Sequence, residues 1–332
     1  MTNLVSIIIP CLNEEEHIGS VIHAIAIQTF PQKKIEIIIA DGGSSDKTIT
    51  KIQEAQQIYP ELKIKIIENP AKIIPVALNR AIRASGGEII IRMDAHSIPD
   101  RHYVEYSVQN LQDKKGTNVG GLWIIQPGNS TWIAKSIAFA ASHPFGVGDA
   151  KYRYSLEPAY VDTVPFGAFN RSLFNQIGFY DEELLTNEDY ELNMRIIKGG
   201  GKIYYDPKIQ TEYYARSTLF ALAKQYWRYG YWKYQMLRKY PDTIRFRQAI
   251  PPLFVLVLIF LLIISVFVNW LFIIFLAVIL IYGLALVVGV VPVFLKQKDF
   301  YLFLGIPLAI MTMHFSWGTG FLVSTLKKQQ RI

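Results

Sequence analysis

The sequence predicts an α/β protein with a doubly wound, mostly parallel central sheet, followed by a helical membrane region. Strand-like and helix-like segments alternate four times between residues 5 and 94, as they do in sheets built from right-handed crossovers. Residues 249–295 contain no Asp, Glu, Lys or Arg, and a second apolar run occupies residues 300–323. A bilayer core takes about 20 apolar residues per helix, so the first run is long enough for two spans and the second for one.

The first part of the chain is a series of strands, turns and helices. Strands are predicted at residues 5–10, 35–40, 62–67 and 89–91, and the uninterrupted isoleucines at 89–91 predict a strand buried on both faces. Helices are predicted at residues 47–58 and 75–84, the second opened by Pro75 at a favoured first-turn position. Asn13 is predicted to cap the helix after the first strand, with Glu16 completing a capping box.

The fourth strand leads directly into two potential metal ligands. Asp94 and His96 are separated by one residue, so an extended or turn backbone lets both side chains point to the same side. Such a pair at the carboxyl end of a parallel strand lies where open α/β sheets bind their ligands. A polar turn without function is the alternative that this spacing alone leaves open.

Polar residues also follow the earlier strands. Asn13 and Glu15 come after the first strand and Asp41 after the second, and these strand ends meet along one edge of a parallel sheet. Asp41 is followed by glycines, so its carboxylate can accept hydrogen bonds from a base or a ribose. The chain has no Gly-x-Gly-x-x-Gly after the first strand and no Gly-Lys-Ser/Thr loop. A nucleotide whose diphosphate is held by a metal therefore fits better than a dinucleotide or a P-loop triphosphate.

The charge of the chain is uneven as well as positive, with a formal net charge of +7. Basic residues are concentrated just before the apolar region, at Lys224, Arg228, Lys233, Arg238, Lys239, Arg245 and Arg247. This distribution favours the cytoplasmic face of an anionic membrane over nucleic acid as a partner. The single Cys11 and a start without secretory-signal features lead us to expect a reducing cytosol around the first part of the chain.

The region after residue 216 is predicted to lie on and in the membrane. Residues 219–240 carry aromatic rings among basic groups, which is typical of a helix in the membrane interface. Spans are predicted at residues 253–268, 271–295 and 301–323. Three passes would place the basic residues after Leu326 outside, against the positive-inside rule, so the path of the last segment stays open.

Four motifs, in order, resemble one enzyme family. They are Ser6-Ile-Ile-Ile-Pro10-Cys-Leu-Asn13-Glu-Glu15, Asp41-Gly-Gly-Ser-Ser-Asp46-Lys-Thr48, Asp94-Ala-His96 and Asn187-Glu188-Asp189-Tyr-Glu-Leu-Asn193-Met-Arg195. Together they resemble the inverting nucleotide-sugar glycosyltransferases of family 2, which have the GT-A fold. The resemblance covers residues 4–240. Residues 161–168 and 225–233 are most similar to the branch typified by the succinoglycan-biosynthesis glucosyltransferases.

The resemblance implies a donor pocket and a metal site. The residues implied for the nucleotide sugar are Pro10, Asn13, Glu15, Asp41, Lys72, Asn79, Asp94 and Ala95, with Asp41 facing the uracil. Asp94 and His96 occupy the metal motif, which is Asp-x-Asp in most of the family. The implied cofactor is a divalent metal, Mn²⁺ or Mg²⁺. Imidazole is a softer ligand than carboxylate and suits Mn²⁺ at least as well as Mg²⁺, so the choice between them stays open.

The resemblance also implies a catalytic base at Glu188-Asp189. Adjacent residues at a helix start point about 100° apart, so only one of the two can face the acceptor, and the family pattern indicates Asp189. An inverting transfer needs one carboxylate to take the proton from the acceptor hydroxyl. Taken alone, two acidic residues are also favourable at any helix N-terminus.

Four further residues are implied for the acceptor or the diphosphate: Asp162, Gly167, Gln225 and Arg228. An ordinary strand is the alternative for Asp162 and Gly167, and a structural interface helix is the alternative for Gln225 and Arg228. Gln225-x-x-Arg228-Tyr229 resembles the Gln-x-x-Arg-Trp motif of processive synthases. Since Tyr replaces Trp, we expect the transfer of a single sugar.

We therefore expect a multi-pass protein of the bacterial inner membrane with a cytoplasmic catalytic domain. Its expected reaction transfers one hexose, with UDP-glucose as donor, to a polyprenyl-diphosphate-linked saccharide in exopolysaccharide biosynthesis. The alternatives are transfer to polyprenyl phosphate itself, or a silent nucleotide-sugar-binding scaffold. The predicted domains are a GT-A domain (1–216), an interface helix and basic segment (217–248), a membrane region (249–326) and a basic tail (327–332).

Overall fold

The computed structural model describes residues 4–327, which form two compact units. The sheet unit contains the chain up to Ile124 together with Tyr154–Tyr213. The helical unit contains Ile125–Arg153 together with the chain from Tyr214 onward. Of the predicted basic tail, only Lys327 falls within the described residues, and residues 328–332 lie outside them.

The strands of the described chain belong to one mixed sheet. They are β1 (Val5–Cys11), β2 (Ile35–Asp41), β3 (Lys63–Glu68), β4 (Ile89–Arg92), β5 (Ile98–Pro99), β6 (Asn118–Gln126), β7 (Ala159–Val161), β8 (Ala168–Asn170) and β9 (Ile203–Tyr214). Their order is β3-β2-β1-β4-β8-β6-β9-β5, with β7 paired to β9. The α/β fold class is thus confirmed.

The four strands predicted from the sequence form the parallel part of this sheet. β1 pairs in parallel with β2 and β4, and β2 pairs in parallel with β3. β8 pairs antiparallel with β4 and with β6, so the later strands extend the sheet in the opposite direction. Ile7, Ile8 and Ile9 are all fully buried, which explains why β1 is a continuous apolar run.

The helices are, in chain order, α1 (Ile18–Ala26), α2 (Thr48–Ile58), α3 (Ile74–Ala84), α4 (Tyr103–Gln112), α5 (Trp132–Ala141), α6 (Pro144–Val147), α7 (Leu173–Ile177), α8 (Glu188–Lys198), α9 (Leu219–Lys239), α10 (Phe246–Ser265), α11 (Trp270–Gln297) and α12 (Phe300–Thr325). The helical unit contains α5, α6 and α9 to α12. Between residues 4 and 327, α10, α11 and α12 are long and apolar enough to cross a membrane.

The predicted capping box at Asn13 is wrong. Helix α1 begins at Ile18, and the side chain of its N-cap residue, His17, makes no capping hydrogen bond. The Oδ1 of Asn13 instead accepts a hydrogen bond from the backbone N–H of Ser45, at 2.8 Å. Asn13 also has a left-handed backbone with φ of 55°, a conformation that asparagine tolerates better than most residues. This residue therefore joins two loops of the sheet unit.

The packing of α9 against α12 depends on glycines in both helices. A Cβ atom on Gly230 would lie 2.1 Å from the carbonyl oxygen of Trp317, and one on Gly320 would lie 2.2 Å from the carbonyl oxygen of Trp227. Lys233, which the sequence places among the basic residues before the membrane, is fully buried and donates from Nζ to the carbonyl of Thr243 at 3.0 Å. It therefore belongs to the interior of this unit and does not face lipid.

Candidate active site

The loops after β1 and β2 are joined by a series of hydrogen bonds. The backbone N–H of Asn13 donates to the Oγ of Ser44 at 2.8 Å. The carboxylate of Glu15 accepts from the backbone N–H of Lys47 at 2.9 Å. Asn13 and Glu15, both predicted donor residues, thus fix the relative position of the two loops at the carboxyl edge of the parallel strands. Pro10, half-buried near the end of β1, lies opposite Ala40 of β2.

The carboxylate of Asp41 shapes the second loop. It accepts hydrogen bonds from the backbone N–H groups of Gly43 at 2.8 Å and Ser44 at 2.9 Å, and from the hydroxyl of Ser44 at 2.5 Å. Gly43 has φ of 79°, which a residue with a side chain rarely adopts. The side chain of Lys72 lies beside Gly43, since a Cβ there would be 3.9 Å from the Lys72 Nζ. Asp41 and Lys72 are therefore brought to the same loop.

The predicted base and the predicted metal motif are brought together by Arg92, the last residue of β4. Its Nη2 donates to Asp94 at 3.0 Å and to Glu188 at 3.2 Å. Its Nη1 donates to the carboxylate of Asp189. The Arg92 side chain is only 4% exposed, whereas those of Asp94 and Asp189 are 22% and 19% exposed. The side chains of Asp94 and Asp189 are thus partly accessible to solvent, whereas the guanidinium between them is buried.

The environment of Asp189 suits a base that works near neutral pH. Burial raises the pKa of Asp189 to about 7, the positive charge of Arg92 opposes this rise, and the negative charges of Glu188 and Asp94 add to it. The backbone N–H of Phe166 also donates to Asp189 and lowers its pKa. A catalytic base is most effective when its pKa lies near the operating pH.

Phe166 and Gly167 both contact Arg92, the cation that links the carboxylates of the candidate site. The guanidinium of Arg92 lies 5.2 Å from the centre of the Phe166 ring, and the Arg92 backbone N–H donates to the Gly167 carbonyl at 3.0 Å. Phe166 has φ of 52°, a conformation that is rare for an aromatic residue. Such rare conformations persist where the surrounding structure fixes them, and they are concentrated at functional sites.

Gly167 and Asp162 are positioned by packing with their neighbours. Gly167 is buried, and a Cβ on it would lie 2.2 Å from the Oδ1 of Asn118. Asp162 is partly buried and accepts a hydrogen bond from the hydroxyl of Tyr190 at 3.2 Å. Tyr190 follows Asp189 in α8, so Asp162 contacts the helix that carries the predicted base.

His96 follows Asp94 in the turn after β4 and pairs with a carboxylate. Its Nδ1 lies 2.9 Å from the Oε1 of Glu14. Within residues 4–327, no group of three or more His, Cys, Asp or Glu side chains is gathered as a complete metal cage. By their chemistry, one carboxylate and one imidazole are suitable ligands for a divalent cation of the Mn²⁺ type, whose remaining ligands would be substrate phosphates and water.

Two predicted donor residues lie inside the protein. Asn79 is 1% exposed, and its amide donates to the Tyr180 carbonyl at 2.9 Å and to Glu182 at 2.8 Å. It also accepts from the backbone N–H of Tyr180 at 2.9 Å. Ala95 is 2% exposed. In this structure Asn79 therefore holds the loop before α8.

Gln225 and Arg228 lie in α9 of the helical unit. Gln225 is partly buried, and its amide donates to the hydroxyl of Tyr229 at 3.0 Å. Arg228 is exposed on the same helix.

Sequence reasoning missed three residues of the candidate site: Glu14, Arg92 and Phe166. The signal for Arg92 is present, because a cation inside an apolar strand beside Asp94 needs buried carboxylates as partners. No comparable signal marks Phe166, whose role depends on its backbone conformation.

These features define an α/β protein of the GT-A type, with carboxylates at the carboxyl edge of its parallel strands. Residues 6–178 match the sequence pattern of Glycosyl transferase family 2. The chain belongs to this family. The match ends before α8, so the predicted role of Glu188 and Asp189 depends on their own motif and on their hydrogen bonds with Arg92.

Two relatives are similar along nearly their whole length. The first is the dolichyl N-acetyl-alpha-D-glucosaminyl phosphate 3-beta-D-2,3-diacetamido-2,3-dideoxy-beta-D-glucuronosyltransferase of Methanococcus voltae, 29% identical over 98% of this chain and 98% of the relative. The second is the succinoglycan biosynthesis protein ExoA of Rhizobium meliloti (strain 1021), 29% identical over 98% of this chain and 96% of the relative. The predicted resemblance to the succinoglycan branch is thus confirmed.

One solved structure supports the fold over the full chain. It is the mannosyltransferase PcManGT from Pyrobaculum calidifontis in complex with GDP-Man and Mn²⁺. It is 16% identical, covers 98% of this chain and 88% of its own, and gives a TM-score of 0.64. At this identity the likeness confirms the GT-A fold alone.

Proposed function

We propose that this protein is a membrane-anchored, metal-dependent, inverting glycosyltransferase that adds one hexose to a polyprenyl-diphosphate-linked saccharide. One observation carries the proposal. Arg92 donates hydrogen bonds to the carboxylates of both Asp94 and Asp189. The predicted metal ligand and the predicted base therefore belong to one hydrogen-bonded cluster. The proposed donor is UDP-glucose, and the proposed pathway is exopolysaccharide assembly at the cytoplasmic face of the inner membrane.

Asp189 is the proposed base. It takes the proton from the acceptor hydroxyl as that oxygen forms a bond to the anomeric carbon, while the bond from that carbon to the nucleoside diphosphate breaks on the opposite face. Glu188 is the less suitable of the pair, since its side chain is 11% exposed against 19% for Asp189. We assign Glu188 to the electrostatic environment of Asp189.

The nucleoside binds, in this proposal, between the loops after β1 and β2. A carboxylate has about four lone-pair sites, and Asp41 uses three of them within its own loop, which leaves capacity for an N–H of uracil. Asn13 and Glu15 hold the loops in place, and Pro10 lines the floor of the pocket. Lys72 beside Gly43 supplies a positive charge for the diphosphate.

Asp94 and His96 are the residues that would hold the divalent metal. When bound, the metal supplies charge neutralisation for the departing diphosphate. Glu14 hydrogen bonds to His96 and orients its ring, an arrangement common among metal-binding histidines. Asp162 and Gly167 are proposed for the acceptor side. For Gln225 and Arg228 we keep, separately, the role in acceptor or diphosphate binding that the family resemblance implies. Asn79 and Ala95, both almost fully buried, are proposed to support the pocket from behind.

Three observations support a lipid-linked acceptor. The helical unit has three helices suited to crossing a membrane within residues 4–327. The Methanococcus voltae relative is named for a dolichyl phosphate sugar as acceptor, and the Rhizobium meliloti relative for succinoglycan biosynthesis. Basic side chains such as Arg228 are exposed on α9, where anionic headgroups can bind them. Nucleic acid plays no part in this proposal.

The test is sugar transfer in membranes that contain the full chain and a lipid-linked saccharide acceptor. UDP-glucose, UDP-galactose, UDP-N-acetylglucosamine and GDP-mannose are each supplied with and without Mn²⁺. We expect the lipid product to grow by one sugar with UDP-glucose, in the presence of Mn²⁺ only. Asp189→Asn abolishes the product because its side chain cannot accept the proton.

The matched control is Asp113→Asn, which removes an exposed carboxylate of the same unit outside the site. It should retain native transfer. Product formed on polyprenyl phosphate alone would shift the acceptor to the bare lipid. UDP binding without transfer from any donor would indicate a scaffold, and transfer that survives Asp189→Asn would move the base to Glu188.

A further inference from the structure

Arg92 has more negative partners than one positive charge can neutralise. It donates hydrogen bonds to the carboxylates of Asp94, Glu188 and Asp189, all of which are at least partly buried. Its Nε is also buried and has no hydrogen-bond partner among the described residues. An unsatisfied buried donor costs about 1–3 kcal/mol. Because the Nε makes no hydrogen bond, the hydrogen bonds of the two Nη groups are what hold this guanidinium in place.

The balance of charge changes if a divalent cation binds beside Asp94. Three carboxylates carry a charge of about −3 when ionised, and Arg92 together with a divalent cation supplies the same amount of opposite charge. Asp94 is the most exposed of the three, with 22% of its side chain exposed. A metal–diphosphate complex can therefore reach Asp94 from solvent.

We infer, on the basis of the proposed function, that Arg92 is a positioning residue that binds Asp94 in the metal-free site and releases it to the incoming cation, while it remains bound to Asp189. The guanidinium is suited to this role because it is charged at all accessible pH values and its planar fork can bind two carboxylates at once. Donor binding at Asp94 and the orientation of the base at Asp189 are thus coupled through one side chain.

Removing the charge of Arg92 should have opposite effects on metal binding and on catalysis. Arg92 competes with the cation for Asp94, so removing its charge strengthens metal binding. Its removal also leaves Asp189 without the hydrogen bond that orients it, so turnover falls. General damage to the fold would weaken both properties together.

The experiment uses the full-length protein in detergent with UDP and Mn²⁺, and measures free Mn²⁺ by electron paramagnetic resonance alongside kcat. Arg92→Gln should bind Mn²⁺ about tenfold more tightly, because one positive charge is removed within a few ångström. Its kcat should fall by about 100-fold, because the base is no longer held in place. Arg92→Lys keeps the charge and loses the fork, so its Mn²⁺ affinity should stay near native while kcat still falls at least about tenfold.

The matched control is Arg171, a partly buried arginine of the same unit whose guanidinium donates to the carbonyls of Ser85 at 2.5 Å and Ile82 at 3.0 Å. Arg171→Gln and Arg171→Lys should leave both readouts near native. Unchanged or weaker Mn²⁺ binding in a folded Arg92→Gln would overturn the inference. If that variant does not fold, a native kcat in Arg92→Lys would overturn it instead. A native protein that neither binds Mn²⁺ with UDP nor transfers sugar would refute the proposed function itself.

Discussion

Glu14 accepts a hydrogen bond from the Nδ1 of His96 at 2.9 Å, and the backbone N–H of Glu14 is itself anchored to the Thr48 hydroxyl at 2.7 Å. A fixed carboxylate that binds one ring nitrogen sets both the tautomer and the orientation of an imidazole. The loop after β1 thereby influences a potential metal ligand in the turn after β4.

Replacing Glu14 with Gln should weaken Mn²⁺ binding by about 10- to 100-fold, the usual cost of losing a partner of this kind. Titration calorimetry with Mn²⁺ in the presence of UDP measures the change. Glu16→Gln is the control, since Glu16 is exposed in the same segment. Equal affinities for the two variants would remove Glu14 from the metal site.

Turnover should depend on pH through Asp189, whose pKa lies at about 7. Only the ionised carboxylate can accept the acceptor proton, so kcat should fall about tenfold per pH unit well below 7. Glu188 raises the pKa of Asp189, and Glu188→Gln should therefore move the acid limb to lower pH. The measurement is kcat against pH at saturating substrates. A limb that stays at the same pH in Glu188→Gln would assign the titration to another group.

Asn79→Ala should lower stability and leave donor affinity near native. The change removes buried hydrogen bonds to Tyr180 and Glu182, which costs about 2–4 kcal/mol in the free energy of unfolding. Thermal unfolding and UDP titration on the folded protein separate the two effects. Arg80→Ala, an exposed change on the same helix, is the control. A large loss of UDP affinity without a loss of stability would indicate that Asn79 contacts the nucleotide directly.

Gly167→Ala should destabilise the sheet unit by about 1–3 kcal/mol, because there is no room for a methyl group at 2.2 Å from the Asn118 Oδ1. Its carbonyl also accepts from the Arg92 backbone, so we expect turnover to fall as well. Denaturant unfolding measures the loss of stability, and kcat of the folded variant measures the loss of turnover. If Gly167→Ala alone behaves like the native protein, the close approach is not required.

Much of the parallel half of the fold could be predicted from the sequence, since apolar runs such as residues 37–40 and 89–91 are buried on both faces of the sheet. The short antiparallel strands are harder to predict from the sequence. β8 and β7 have only three residues each, and β5 only two, so no periodicity can develop. Their pairing is set by tertiary contacts with β4 and β9.

The site could be predicted where chemistry marks the residue type and not where a backbone contact defines its role. Asp94 and Asp189 are recognisable because carboxylates follow or open structural elements in a known order. Asn79 illustrates the limit, since an amide in a helix has the same appearance in the sequence whether it contacts a ligand or a neighbouring loop. Only the contacts with Tyr180 and Glu182 distinguish the two roles.

The chain leaves the sheet unit at Ile125, forms α5 and α6, and returns at Tyr154 before it leaves again at Tyr214. Within the helical unit, α5 packs in one apolar cluster with Ile306 and Ile310 of α12. Truncation after Tyr214 would therefore leave α5 without the surface that covers it. A single cut therefore cannot remove α9 to α12 without exposing the apolar face of α5.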